Sequence, residues 1–360
     1  MQGTGEAEKI IPGTLILAAA IFILANPAAA GVEISDFFSD FTSSDVTVNS
    51  TQDFQGKAVF ELFYSGSPVE SQAVTLNMRA GEPVYKVIIW QNKPQYDYYI
   101  AKVSIYNDSK LLTSRSYEVS YGTSSLPGFH VVDFSPSNSG VQLLLRPFNP
   151  SAVDIKIELL DNNDVVYTKL KEDISLKTLP EEIKTTWPFL LTDKKNYIVR
   201  VKIFTHRLYA PALVNTYIAK FTATSDVEIL ADDVQVDEYG ASVTIRGKSQ
   251  VPFDGFIVVT ARNRATNETK IFRQQMEEIL LSGKEDTAGV VWKGLAPGTY
   301  DVEILAQDKG NVTVDKYETV LRIPESSAAT ATAAAKGTPG FTAFLLAAML
   351  LLAARRLKGG

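Results

Sequence analysis

The chain has 360 residues, 45% of them hydrophobic and 21% charged, with 22 glycines and 16 prolines, which is the composition of folded domains and not of a disordered tail or a collagen-like fibre. It contains no cysteine and only two histidines, His130 and His206, which excludes disulfides, thiolate zinc sites, iron–sulfur clusters and cysteine nucleophiles. A formal net charge of −6 argues against nucleic acid as a partner, because neutralising phosphates requires a basic face.

Residues 10–25, IIPGTLILAAAIFILA, carry no charge, follow Lys9 and precede Asn26-Pro27-Ala28-Ala29-Ala30. An apolar stretch of this length followed by small residues at Ala28 and Ala30 predicts a secretory signal peptide over residues 1–30, cut before Gly31. As a helix the stretch spans about 24 Å, short of a bilayer core of about 30 Å. Glu6 and Glu8 make the leading segment less basic than usual, so an uncleaved signal anchor is the alternative.

The middle of the chain repeats one unit three times. Trp90 is followed after nine residues by Tyr99, Trp187 after ten by Tyr197, and Trp292 after eight by Tyr300. Each tyrosine opens an alternating run, YIAKVSIY, YIVRVKIF and YDVEILA, and a second tyrosine follows at Tyr117, Tyr217 and Tyr317. A period near 100 residues predicts tandem domains, since solenoid repeats are about 20–50 residues long. The boundaries fall at 31–125, 126–225 and 226–325.

Runs rich in Val, Ile, Thr and aromatics, broken by Gly, Pro, Asn and Asp, predict strands and turns throughout. KAVFELFY (57–64), VQLLLR (141–146) and ASVTIR (241–246) read as equivalent strands, followed by turns at Pro68, Pro150 and Pro252. QAVTLNMR, VDIKIELL and GFIVVTAR read as the next set. Leu179–Thr185 and Phe272–Leu281 carry helix formers and predict two short helical interruptions before the tryptophan strands. The fold class expected is all-β, three tandem immunoglobulin-like antiparallel β-sandwiches, each of about seven strands in about 100 residues. Gly294-Leu295-Ala296-Pro297-Gly298-Thr299-Tyr300 resembles the entry to the sixth strand of fibronectin-III-like domains. That resemblance implies a tyrosine corner, in which the tyrosine hydroxyl bonds back to the backbone of the corner. The tryptophans are expected as core or corner residues and not as sugar-binding platforms.

Few residues suggest chemistry. Asp232, Asp233, Asp237 and Glu238 cluster near the start of the third copy, where carboxylates could hold calcium, although no EF-hand spacing is present and a solvated acidic edge explains them as well. Asp161-Asn162-Asn163-Asp164 reads as a hairpin turn. The histidines have no metal-site spacing, and no nucleophile-elbow, Ser-x-x-Lys or phosphate-loop motif occurs. A pair of carboxylates suffices for a glycosidase, but sandwich arrays of this size without a groove-forming insertion predict no enzyme, and no cofactor is expected. The loop from Thr205 to Leu213 reads either as an exposed aromatic binding loop or as a segment tucked beneath a neighbouring domain by Leu208 and Leu213. Sequons at Asn49, Asn107, Asn267 and Asn311 are glycosylation candidates in an exported chain.

Residues 326–337 form an Ala/Thr-rich spacer that cannot build a core. Residues 338–360 carry Pro339-Gly340-Phe341, an apolar run to Ala354 and the basic residues Arg355, Arg356 and Lys358. This ordered tail resembles the PGF-CTERM sorting signal of archaeal surface proteins. The resemblance implies an archaeosortase-like processing enzyme as partner and a lipid anchor at the new C-terminus; a retained membrane helix is the alternative. Both place an acidic ectodomain on the outer face of the cell membrane. The expected role is a non-enzymatic cell-surface or S-layer-associated envelope component, self-associating or bound to other envelope proteins. The alternative is an adhesion or accessory module that holds one extracellular partner.

Overall fold

The computed structural model describes residues 31–91, 98–120, 126–292 and 294–325. Ala28 and Ala30 of the signal segment, the spacer, and Pro339, Gly340, Phe341, Arg355 and Arg356 of the sorting segment lie outside the described residues. Among the described residues no helix is long and apolar enough to cross a membrane. The regular elements there are strands, apart from a single 3-10 turn at Ala231–Asp233.

The first copy contributes β1 (Val32–Ser39), β2 (Ser43–Ser50), β3 (Phe54–Tyr64), β4 (Ser67–Met78), β5 (Val84–Ile89), β6 (Tyr98–Asn107) and β7 (Lys110–Ser120). The second contributes β8 (Phe129–Pro136), β9 (Gly140–Pro147), β10 (Ser151–Asp161), β11 (Asp164–Leu176), β12 (Glu181–Thr186), β13 (Asn196–Thr205) and β14 (Leu213–Thr222). The third has its opening strand broken into β15 (Val227–Ile229) and β16 (Gln235–Val236). It continues with β17 (Gly240–Gly247), β18 (Phe256–Asn263), β19 (Thr269–Gln275), β20 (Glu285–Val291), β21 (Gly298–Gln307) and β22 (Thr313–Ile323).

One pairing scheme serves all three copies. The opening, second and fifth strands pair in one sheet, as β1-β2-β5, β8-β9-β12, and β15/β16-β17-β20. The other sheet runs β4-β3-β6-β7, β11-β10-β13-β14 and β19-β18-β21-β22. The strands within these sheets pair antiparallel, and in the first and second copies the two sheets share a core. In the first copy that core joins Val46 and Val48 of β2 to Phe60 and Leu62 of β3 and to Val103 and Ile105 of β6. In the second it joins Leu143 and Leu145 of β9 to Ile155, Ile157, Val199 and Val201. Two compact units result. The first holds the described residues through Glu228 with Ile245–Asp254 and Glu278–Asp286, and the second holds the remainder of the third copy. Within the first unit, Val251 is buried in the second copy's core.

The tryptophans mark one repeated joint. Each follows the fifth strand and is buried, and each donates its backbone N–H to the carbonyl just before the second strand: Trp90 to Thr42 (3.1 Å), Trp187 to Ser139 (3.0 Å) and Trp292 to Tyr239 (3.1 Å). Beside that joint the second strand must approach the fifth closely. A Cβ on Gly140 would stand 2.1 Å from the Thr185 carbonyl oxygen, and one on Gly240 2.4 Å from that of Val290, so glycine opens both strands. The tyrosine corner of the third copy is formed, with the Tyr300 hydroxyl donating to the Ala296 carbonyl at 2.9 Å. In the second copy the Tyr197 hydroxyl instead accepts from the Thr192 N–H at 3.2 Å.

Three sequence expectations are corrected. Leu179–Thr185 is not a helix: Glu181–Thr186 is β12, paired with β9, and Ile183 and Thr185 point inward at period two. Phe272–Leu281 is not a helix either, because Thr269–Gln275 is β19, paired with β18, and Leu280 pairs in a bridge with Phe253. In both cases the open edge of a sheet outweighs a weak helix propensity. The strand equivalent to Val141–Arg146 and Ala241–Arg246 is Ser43–Ser50, not Lys57–Tyr64. Lys57–Tyr64 belongs to β3, which matches the runs VDIKIELL and GFIVVTAR, so QAVTLNMR is one strand later than both.

Candidate functional site: a buried ionic junction

One sheet of the first copy, β1-β2-β5, is continuous with one sheet of the second, β11-β10-β13-β14. The turn after β10 is a two-residue hairpin in which Asp161 faces Asp164 and Asn162 takes a left-handed φ of 57°, as its Asp-Asn-Asn-Asp sequence predicts. The same turn also bonds to β5. Val87 donates its N–H to the Asn163 carbonyl at 3.0 Å, and the Asn163 amide donates to the Val87 carbonyl at 2.8 Å. Asp164 stands opposite Lys86 and forms an ion pair with it. The result is a continuous seven-stranded sheet, β1-β2-β5-β11-β10-β13-β14.

Beside this seam the outward positions of both copies meet. Strand alternation sends Val199 and Val201 of β13 into the second copy's core and turns Arg200 and Lys202 the other way. On β10, Ile155 and Ile157 face inward, while Lys156 and Glu158 face outward, directly across from Lys202 and Arg200. Such positions ordinarily meet water, yet Arg200 and Glu158 are both 0% exposed and Asp45 of β2 is 2% exposed.

The guanidinium of Arg200 is fully engaged. Its Nε donates to Glu158 at 2.6 Å, one terminal nitrogen donates to Asp45 at 2.7 Å and to Ser43 at 3.3 Å, and the other to the Tyr85 hydroxyl at 2.5 Å. Tyr85 in turn donates to Glu158 at 3.0 Å. Lys202 donates to Asp45 at 2.9 Å with its ammonium 3.8 Å from the centre of the Phe38 ring, a cation–π contact. Lys156 pairs with Glu158 at 2.6 Å. Ser43, Asp45, Phe38 and Tyr85 come from the first copy, and Lys156, Glu158, Arg200 and Lys202 from the second.

The titration behaviour follows from the geometry. Burial alone would raise the Asp45 carboxyl, but the Arg200 and Lys202 charges outweigh it and hold the group below its ordinary 3.8. Burial likewise opposes the charge of Arg200, and the Asp45 and Glu158 carboxylates more than reverse that, so the guanidinium is held above its ordinary range. Burial lowers the Lys202 ammonium below 10.5 and raises the Tyr85 phenol above 10. A dry cluster whose charged groups already satisfy one another offers no substrate a contact. Its chemistry is to fix two sandwiches to each other.

The other sequence-predicted residues lie elsewhere. Gly31 is exposed just before β1. Asn107, Asn267 and Asn311 sit exposed at hairpin turns, whereas Asn49 is half-buried in β2 and its amide faces Glu33 at 3.5 Å. Asp232 and Asp233 lie in the exposed 3-10 turn. Asp237 uses one oxygen to accept the backbone N–H groups of Tyr239 (2.8 Å) and Gly240 (3.0 Å), a turn role, and Tyr239 pairs its phenol with Glu238. The Thr205–Leu213 loop leaves Leu208 88% and Tyr209 fully exposed, so Leu208 is not tucked away. Among the described residues the carboxylate–histidine group with metal-like spacing is Asp154, Asp173 and His206. No sequence spacing joins these three, because strand register alone brings them together.

No family model and no curated protein matches the chain. Among solved structures it is similar to a tetra-tandem repeat from the extending region of a large adhesion protein, at 13% identity over 81% of this chain and 73% of that one, with a TM-score of 0.24. It is similar to a DUF4785 family protein from Legionella pneumophila, at 10% identity over 82% and 90% of the two chains and a TM-score of 0.26. An Escherichia coli alpha-2-macroglobulin matches at 9% identity over 82% of this chain and 22% of that one, with a TM-score of 0.22.

Proposed function

We propose that the chain is a non-enzymatic structural protein of the cell surface or S-layer-associated envelope. It is exported by residues 1–30 and held at the outer face of the membrane through residues 338–360, by way of an archaeosortase-like enzyme or a retained helix. The observation that carries this reading is the junction around Arg200, together with the sheet that runs unbroken from β1 to β14. Modules that present separate binding sites on flexible linkers need no dry interface between them. Burying two carboxylates and two cations at one supports a role in which the angle between modules matters, as it does in a lattice or a spacer. A second reading, an adhesion or accessory module, draws on the exposed Leu208 and Tyr209 at the β13–β14 turn, since an exposed aromatic on a loop can anchor a partner.

Chemical cross-linking on intact cells, followed by sizing and peptide identification, separates the two. A ladder of multiples of this chain supports the structural role. A single heterologous partner, cross-linked through the β13–β14 loop, selects the second reading. Recovery of the chain uncross-linked at the cell surface overturns both.

A further inference from the structure

At the far end of β10 from the junction, three side chains from three strands or strand ends converge. Asp154 lies near the start of β10, Asp173 on β11, and His206 just beyond β13. One ligand atom from each lies within 4.8 Å of the others. The convergence is held by the backbone. His206 donates its N–H to the Ala152 carbonyl at 2.9 Å, and Asp173 donates its N–H to one oxygen of Asp154, also at 2.9 Å. The second oxygen of Asp154 lies 2.9 Å from His206 Nε2.

We propose that Asp154, Asp173 and His206 are the protein ligands of a zinc site that fastens the β13–β14 loop to the β10–β11 pair. The donor set favours zinc over calcium or magnesium. Calcium and magnesium take oxygen ligands, whereas an imidazole with two carboxylates suits zinc, with water completing a tetrahedron. The spacing also fits. With metal–ligand bonds of about 2.0–2.2 Å, two ligands at a tetrahedral angle stand about 3.4 Å apart and at a right angle about 2.9 Å apart. The Asp154–His206 separation of 2.9 Å therefore opens by about half an ångström to admit the ion, and the Asp173 carboxylate, within 4.8 Å of both, draws in to close the set. Asp173 and His206 are exposed, so the ion has an entry path and water can reach the open position. The site does not depend on the surface role proposed above.

The test is direct, because the chain has only one other histidine, His130, and no cysteine. Full-length protein stripped with chelator is titrated with Zn²⁺ by calorimetry, and Co²⁺ substitution reads the geometry by its absorption. The expected result is one saturable zinc per chain with a tetrahedral cobalt spectrum. Affinity should fall about tenfold or more in His206→Ala and in Asp173→Asn, and stay unchanged in His130→Ala. Asp173→Asn leaves the Asp154–His206 contact in place, so its loss of zinc cannot come from an unfolded loop. Zinc uptake that survives both variants, uptake that depends on His130, or equal affinity for Ca²⁺ unaffected by His206→Ala would each overturn the proposal.

Discussion

Replacing Arg200 by methionine tests the junction most sharply. Methionine keeps much of the side chain's length and apolar body but removes every donor, leaving Asp45 and Glu158 buried without their shared cation. Stranding a buried charge in this way costs about 3–5 kcal/mol. Here each carboxylate keeps a cationic partner, Lys202 at 2.9 Å for Asp45 and Lys156 at 2.6 Å for Glu158, and Glu158 also keeps the Tyr85 hydroxyl. That places the expected loss near the lower end, about 3 kcal/mol. Each copy has its own buried tryptophan, so variants keeping only Trp90 or only Trp187 report the first and second sandwiches separately in urea. In the parent the two transitions coincide, because the sandwiches share a sheet and a dry interface. In Arg200→Met they separate, with Trp90 moving to lower urea. Adding Glu158→Gln recovers part of the loss by removing one buried carboxylate, because its remaining partner Lys156 is partly exposed, whereas adding Asp45→Asn deepens the loss by leaving the buried Lys202 unpaired. A change under about 1 kcal/mol with coincident transitions, the scale of an exposed ion pair, would refute the idea that the cluster couples the copies.

Three further outcomes follow from the same geometry. Asp45 is held below its ordinary 3.8, so its contribution to stability is present above about that pH and is lost as pH falls through the lowered value; acid unfolding monitored at Trp90 should lose this component in Asp45→Asn. Tyr300→Phe removes the bond to the Ala296 carbonyl and should cost the third copy about 0.5–1.5 kcal/mol in denaturant unfolding followed at Trp292, with Trp90 unaffected. Gly140→Ala forces a methyl against the Thr185 carbonyl and should cost about 1–3 kcal/mol at Trp187, whereas Gly289→Ala, which meets no atom within 4 Å, should cost less than half of that.

Much of the fold was legible because the core residues alternate cleanly. Tyr197, Val199, Val201 and Ile203 fall at period two, and the repeated Trp–Tyr spacing marks the fifth-to-sixth strand passage in every copy. What escaped was written in polar residues. Ser43-Ser44-Asp45 carry no apolar strand signal, yet all three are buried in β2, where Asp45 and Ser43 face Arg200 across the seam. Ser43–Ser50, with so polar a start, is the strand that aligns with β9 and β17. The helix-like segments failed for a related reason: Glu181, Glu182 and Lys184 are good helix formers, but only Ile183 and Thr185 of that stretch turn inward. No local pattern distinguishes an outward Arg200 that meets water from one that meets a neighbouring sandwich. That information lies about 155 residues away in sequence, at Asp45.

Strand β10 shows how one alternating sequence can perform two tasks. Its inward residues Val153, Ile155, Ile157 and Leu159 build the second copy's core, and their burial fixes the register of the strand. The outward residues then have no freedom in where they appear. Asp154 arrives at the His206 end, and Glu158, about 13 Å further along by strand rise, arrives beneath Arg200. A one-residue slip would carry both carboxylates into the apolar core and empty both sites at once. The hydrophobic pattern therefore protects the polar devices, and the junction in turn gives that register a reason to persist beyond the second copy, because Arg200 can satisfy Asp45 only when β10 and β13 keep it.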